Sequence, residues 1–284
     1  MSTDNSAIAF IGGGNMASAI IGGLLRTGLP ATQIEVVEPW DEARARLKAQ
    51  FGIDAQPQAG AALARCGLVV WAVKPQTFRE AAAPVRDHAA GALHLSVAAG
   101  IRSDSIAQWL GTERIVRSMP NTPALVGQGM TALYARDAVT AQDKAQVERV
   151  IATTGQQLWV DAEEQLDAVT ALSGSGPAYV FFFLEAMTTA GVEMGLTREQ
   201  AHQLAVGTFV GASALARASD EPPEVLRQRV TSKGGTTYAA ISSMQHDGVN
   251  ALFIKALHAA RQRARELGDE FGGAGLEVGH VRIR

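Results

Sequence analysis

Ile8-Ala9-Phe10-Ile11-Gly12-Gly13-Gly14-Asn15-Met16-Ala17 joins a short apolar run to three glycines and then to a segment with helical patterning. The order strand, G-x-G-x-x-A, helix is that of a dinucleotide-binding turn. Gly12 permits the tight bend, Gly14 lets the backbone approach a pyrophosphate, and Ala17 allows close packing of the helix. Phosphates then lie on the helix N-terminus, where free N–H groups and the helix dipole favour negative charge. Gly12, Gly13, Gly14, Asn15 and Met16 are therefore expected to hold a dinucleotide cofactor. The competing reading is a purely structural turn.

Outward from this turn, β-rich runs alternate with helical patterns as far as Asp161. Strands are predicted at Ala7-Ile11, Ile34-Val37, Leu68-Ala72, Leu93-Ala98, Arg114-Ser118, Thr131-Tyr134 and Gln157-Val160. Helices are predicted at Asn15-Thr27, Asp41-Phe51, Thr77-His88, Ser103-Leu110 and Ala141-Thr153, several opened by Asp, Ser or Thr as N-caps. This alternation predicts an α/β fold, a doubly wound parallel sheet of Rossmann type covered on both faces. Glu38 ends the second strand, where an acid accepts hydrogen bonds from the adenosine ribose. Pro39-Trp40 adds no cation, and Arg44 and Arg46 on the next helix are the nearest ones. That arrangement favours NAD on physical grounds. A solvated charge at the strand end is the alternative for Glu38.

Three further strand ends carry unusual loops: Ala72-Val73-Lys74-Pro75-Gln76, Ser96-Val97-Ala98-Ala99-Gly100 and Ser118-Met119-Pro120-Asn121-Thr122-Pro123. Ligands of doubly wound sheets bind beyond the carboxyl ends of the strands. Ala72, Val73, Lys74, Pro75, Ala98 and Asn121 are thus expected to line the cofactor site. Lys74 reads as a phosphate contact or a solvated cation, and Asn121 as a rigid polar contact between two prolines or an ordinary turn residue.

After Asp161 the β-rich runs give way to helices, at about Ala178-Gly195, Arg198-Ala218, Pro223-Thr231, Thr236-Asp247 and Val249-Gly268. The switch predicts a Rossmann domain over residues 1–161, an all-α domain over 162–269, and a glycine-rich tail over 270–284 that is expected to be disordered. Val180-Phe181-Phe182-Phe183-Leu184 is apolar on every side of its helix, so it must be buried, against a second subunit or against the first domain.

The 284 residues are 47% hydrophobic and 19% charged, with a net charge of -3, so nucleic acid is not an expected partner. One cysteine, Cys66, reads as a buried apolar residue and rules out an internal disulfide or a cysteine-based metal site. No metal is expected. The polar start Met1 to Ser6 lacks the pattern of a secretory signal, and Pro177 to Leu184 is too short to span a bilayer. The sequence reads as soluble and cytoplasmic, with no membrane partner.

Leu172-Ser173-Gly174-Ser175-Gly176-Pro177 and Val230-Thr231-Ser232-Lys233-Gly234-Gly235-Thr236-Thr237 are too polar and glycine-rich for helix interiors, and each precedes a helix. Both are expected to offer N–H groups and hydroxyls to an anion such as a carboxylate. Interhelical turns with hydroxyl caps are the alternative.

With these residues in hand, the chain resembles the pyrroline-5-carboxylate reductase family from Ile8 to about Leu267. The resemblance rests on Ile11 to Ala17, Ala72 to Gln76, Met119 to Ala124, Leu172 to Tyr179 and Val230 to Thr237, in that order. It implies reduction of 1-pyrroline-5-carboxylate to L-proline, the last step of proline biosynthesis, with NADPH as cofactor and NADH as the alternative. It implies that Ser175, Ser232, Gly234, Gly235, Thr236 and Thr237 bind the substrate, with Thr237 as the catalytic group near the ring nitrogen. It also implies an interlocked homodimer of helical domains, which some members build into a ring of dimers. Two positions depart from the family: Gln58-Ala59-Gly60 where Asn is frequent, and Lys233 where many members have proline. Other readings are a β-hydroxyacid dehydrogenase-like oxidoreductase, which would need a lysine absent from Leu172 to Tyr179, and a non-enzymatic dinucleotide-binding protein.

Overall fold

The strand that opens the chain, β1 (Ala7–Ile11), is buried along its whole length, as an unbroken apolar run inside a parallel sheet must be. It leads into α1 (Asn15–Arg26), β2 (Ile34–Val37), α2 (Asp41–Phe51), β3 (Cys66–Trp71), α3 (Pro75–Arg86), β4 (Leu93–Ser96), α4 (Ser103–Leu110) and β5 (Ile115–Met119). Next come β6 (Gly129–Ala135), α5 (Ala141–Ile151), β7 (Gly155–Trp159) and α6 (Gln165–Val169). A computed structural model describes residues 7–272.

The seven strands form one sheet in the order β2-β1-β3-β4-β5-β6-β7. From β2 to β5 all neighbours are parallel. Strand β6 pairs antiparallel to β5 and β7 parallel to β6, which corrects the expectation of a wholly parallel sheet. The connection from β5 to β6 holds only a short 3-10 turn, Thr122–Val126, and a parallel return would need a longer crossover. Side chains alternate across β1. Ile8 and Phe10 join α1, α2 and α5 through Ile20, Ile21, Leu47 and Val147. Ala7, Ala9 and Ile11 face α3 and α4 through Phe78, Val85, Ile106 and Leu110. The doubly wound reading is thus the observed one, with each fully buried large side chain contributing about 1.5–3 kcal/mol.

The N-caps differ from expectation. Only α5 among the predicted five has a side-chain cap, a capping box in which Thr140 Oγ1 accepts from the Asp143 N–H at 3.2 Å and the Asp143 carboxylate accepts from the Thr140 N–H at 3.0 Å. Asp41 and Ser103 sit one position inside their helices. Asp41 is paired with Arg44, while the Ser103 hydroxyl donates to Glu163 at 2.6 Å. Cys66 is buried, and burial together with nearby Glu35 pushes its thiol up to about 11, so it is an inert core group.

The helices that follow are α7 (Gly176–Glu193), α8 (Arg198–Arg217), α9 (Pro223–Arg229), α10 (Thr236–His246) and α11 (Val249–Gly272). By compactness one unit holds the described residues up to Ser175 and those from Ala260 on, and a second holds Gly176–Ala259. These limits differ from a composition boundary at 161, because α6 packs on β5 and β6. The end of α11 belongs to the first unit, where Phe271 packs against the α3–α4 side of the core. Residues 270–272 are therefore helical and not part of a disordered tail; the rest of that expected tail lies outside the described residues. Among the described residues no helix is long and apolar enough to cross a membrane, and no group of three or more His, Cys, Asp or Glu is placed to hold a metal.

In the second unit α7 and α8 approach closely, for a β-carbon on Gly191 would lie 2.6 Å from that of Ala201. Few residues are buried there. Phe181 of α7 is 64% exposed and Phe182 69%, and Leu215 of α8 is 71% exposed, so within this unit the apolar start of α7 is left uncovered by the described residues.

Within the first unit His94 of β4 is 1% exposed, and its Nδ1 accepts from the Trp71 indole N–H at 3.0 Å. Burial pushes its pKa down to about 4, aided by the charge of Arg114 and opposed by a hydrogen bond with the Ala89 backbone. An unfolded histidine titrates near 6.5, so between 6.5 and about 4 the unfolded chain binds a proton that the folded chain refuses. Stability from His94 is complete above that window and falls as the pH drops through it, by about 3 kcal/mol in all. Urea unfolding followed from pH 7 to pH 4 will show a shallower acid loss in His94→Gln than in the wild type; equal slopes would contradict this.

Candidate active site

The turn after β1 is fixed by its neighbours. Gly12 has φ +95, its N–H donates to Val37 O at 2.8 Å, and Ala72 N–H donates to Ile11 O at 2.8 Å. A β-carbon on Gly12 would lie 2.7 Å from the Ala72 carbonyl oxygen. Only glycine suits both the conformation and the space. Gly14 is the N-cap of α1, with no side-chain cap and no acid in the first helical turn, and a β-carbon there would meet nothing within 4 Å. The helix therefore presents uncapped N–H groups to an open cradle at Asn15 and Met16, which fits a bound pyrophosphate.

Glu38, at the end of β2, is buried. Its Oε2 accepts from the Gly13 N–H at 2.8 Å and its Oε1 from the Trp40 N–H at 3.0 Å. It is not a solvated strand-end charge. Because β1 to β5 run parallel, their carboxyl ends share one edge of the sheet. That edge gathers Gly12 to Met16, Glu38, Ala72 to Pro75, Ala98 and Asn121. Ala98 is 5% exposed, with its N–H donating to Ser96 Oγ at 3.3 Å. Lys74 is exposed, and its carbonyl accepts from the N–H and hydroxyl of Thr77. This explains why α3 starts at Pro75 and not at Thr77.

Asn121 is buried, and its carboxamide bridges two segments. Oδ1 accepts from the Met130 N–H at 2.9 Å, and Nδ2 donates to Ser173 O at 3.1 Å. The second N–H of Nδ2 is not used by either bond.

Ser173 belongs to a stretch whose expected loop conformation is corrected. Thr170–Gly174 is a π-helical turn that continues α6, with the Ser175 N–H donated to Thr170 O at 2.8 Å. A β-carbon on Gly174 would lie 2.4 Å from Cε at the flexible end of Met119. The Ser175 N–H is thus committed within the turn. π-turns inside helices are frequent at functional sites.

In the helical unit the second glycine-rich segment is a tight turn into α10. The Gly235 N–H donates to Ser232 O at 3.0 Å, and a β-carbon on Gly235 would sit 2.6 Å from Ser232 Oγ. Gly235 caps α10 with no side-chain hydrogen bond and no acid in the first turn. Thr236 and Thr237 are the first residues of that helix, so their N–H groups have no intrahelical acceptor. Thr237 is half-buried and Lys233 exposed.

One linkage carried no sequence signal. Glu163 Oε1 accepts from the Ser103 N–H at 2.6 Å and from Arg117 Nη1 at 2.5 Å. Arg117 is 6% exposed and its Nε is buried without a hydrogen-bond partner.

Comparison with known proteins agrees over most of the chain. The family described as "Pyrroline-5-carboxylate reductase dimerisation" matches residues 163–267, and "NADP oxidoreductase coenzyme F420-dependent" matches residues 7–100. A pyrroline-5-carboxylate reductase of Pseudomonas aeruginosa is 47% identical over 269 residues, 93% of this chain and 98% of that protein. Among solved structures, a pyrroline-5-carboxylate reductase from Coxiella burnetii has a TM-score of 0.87 and 38% identity, covering 93% of this chain and 99% of that one. A pyrroline carboxylate reductase of Plasmodium falciparum, solved with NADP bound, has a TM-score of 0.83 and 27% identity, again over 93% and 99%.

Proposed function

The chain belongs to the pyrroline-5-carboxylate reductase family, and from that premise we propose how its residues reduce 1-pyrroline-5-carboxylate to L-proline with NAD(P)H, the last step of proline biosynthesis. The observation that carries the reading is the pairing of a dinucleotide turn at Gly12 to Met16 with a second uncapped helix start at Gly235 to Thr237. The first suits a pyrophosphate and the second a carboxylate. A β-hydroxyacid dehydrogenase-like reading explains neither the second turn nor the identity to reductases over most of the chain.

When bound, the dihydronicotinamide supplies the hydride that saturates the imine carbon. Gly12, Gly13, Gly14, Asn15 and Met16 hold the pyrophosphate through backbone N–H groups, and Glu38 takes the adenosine ribose. Ala72, Val73, Lys74, Pro75, Ala98 and Asn121 line the nicotinamide half, Asn121 through its remaining N–H. Ser232, Gly234, Gly235 and Thr236 hold the substrate carboxylate, joined by the Ser175 hydroxyl. Thr237 is the catalytic residue, its hydroxyl hydrogen-bonded to the ring nitrogen, donating while that nitrogen is a neutral imine and accepting from its N–H once solvent has protonated it. A protonated imine accepts hydride readily, so the protein needs alignment more than a strong acid or base. Orientation of this kind is worth up to about 7–11 kcal/mol in intramolecular models. No His, Asp or Glu stands within Leu172 to Pro177 or Val230 to Thr237, in keeping with that economy.

The functional division follows composition: residues 1–161 bind the cofactor, and 162–269 bind the substrate and form a homodimer. The exposed apolar face at Phe181, Phe182 and Leu215 supports pairing of helical domains. Rings of dimers would be built from the same pair. The buried lone thiol of Cys66 suits a reducing cytoplasm.

Purified protein will oxidise NADH or NADPH on addition of 1-pyrroline-5-carboxylate; no turnover with either would contradict the assignment. Thr237→Val will lower kcat about a hundredfold with dinucleotide affinity retained, and Thr237→Ser will restore most of the rate. Unchanged kinetics in Thr237→Val would remove the hydroxyl from the reaction. Light scattering will show at least a dimer, and Phe182→Glu will shift it to monomer; a monomeric wild type would refute the pairing.

A further inference from the structure

We infer that Glu38 makes this chain discriminate against the 2′-phosphate of NADPH, so that NADH is the better-bound cofactor. The inference rests on the reductase reading above and goes beyond the shared use of NAD(P)H.

The carboxylate is fixed. Its two oxygens hold the Gly13 and Trp40 N–H groups at 2.8 and 3.0 Å, and its own backbone N–H donates to Gln56 O at 2.8 Å. A swing away from the turn would strand the buried Gly13 N–H without a partner. Gly13 lies close against the carboxylate, since a β-carbon there would be 3.4 Å from Glu38 Oε2.

A carboxylate has about four acceptor positions, so two remain after these bonds, and they can only accept. Ribose hydroxyls can donate to them. A 2′-phosphate carries a charge of about −1.5 to −2 near neutral pH and offers acceptors in their place. Beside Glu38 it would meet like charge at short range.

Two of the cations on α2 already have partners. Arg44 Nη1 donates to Glu38 O at 3.0 Å and to Pro39 O at 2.7 Å, while Nη2 is paired with the Asp41 carboxylate. Lys48 is paired with Asp54 at 2.5 Å. Arg46 is exposed on α2, and a residue two places from Arg44 in a helix does not share its face. Among the described residues of α2, no free guanidinium fork is placed against the Glu38 carboxylate to compensate a phosphate.

Calorimetric titration of the full-length protein with NADH, NADPH, 5′-AMP and adenosine 2′,5′-bisphosphate tests this without turnover. The 2′-phosphorylated member of each pair will bind about tenfold more weakly or worse, and added salt will narrow the gap. Glu38→Gln and Glu38→Ser will each reduce the preference to about threefold or less. NADPH binding as tightly as NADH in the wild type would overturn the inference, as would an undiminished preference in a folded variant. The wild-type comparison decides even if a variant fails to fold. If NADH binds tighter but pyrroline-5-carboxylate is not reduced with either cofactor, the reductase reading falls and the assignment of Glu38 stands.

Discussion

The Ala72 carbonyl lies so close to Gly12 that a β-carbon would come within 2.7 Å of it, and the cofactor half of the protein depends on that approach. It requires glycine at the end of β1, a positive φ there, and a chain that turns at once into α1. The helix thereby starts at the edge of the sheet with its N–H groups uncapped. Any side chain at position 12 would push β1 and β3 apart at the place where their hydrogen bonding ends.

Other polar ties converge on the same edge. Glu38 brings the end of β2 to the turn through the Gly13 N–H. Asn121 brings the end of β5 to the start of β6 and to the π-turn before α7. The buried pair of Arg117 and Glu163 secures the chain just after the last strand. Such a pair is costly to break from one side, since an uncompensated buried charge remains. In the helical unit the same physics recurs independently, with a tight glycine turn, no side-chain cap and a helix N-terminus left open.

Features written in local pattern were legible in the sequence. The runs Ala7–Ile11 and Ile34–Val37, and the helices Asp41–Phe51 and Ser103–Leu110, lie where apolar periodicity and their flanking residues put them. The glycine turns were legible because glycine is demanded by geometry. Features set by long-range partners were not. The reversal of β6 depends on connection length, and no local pattern marks the π-turn at Thr170–Gly174. The continuation of α11 to Gly272 depends on Phe271 finding the core beside α3 and α4. Glu163 and Arg117 lie far apart in the chain, and no local pattern announces their meeting. Glu38 was legible as an acid at a strand end, but its commitment to the Gly13 N–H was visible only in three dimensions.

Glycine turns of this kind recur on many proteins, so the assignment stands on membership of the pyrroline-5-carboxylate reductase family, within which we propose a dinucleotide for one turn and a small carboxylate for the other. On that proposal hydride is delivered to the carbon of a cyclic imine. Mass spectrometry of the product formed from 1-pyrroline-5-carboxylate and NADH carrying transferable deuterium at C4 tests this most directly. The account predicts L-proline with a single deuterium at C5. Unlabelled proline, or label in any product other than proline, would contradict it.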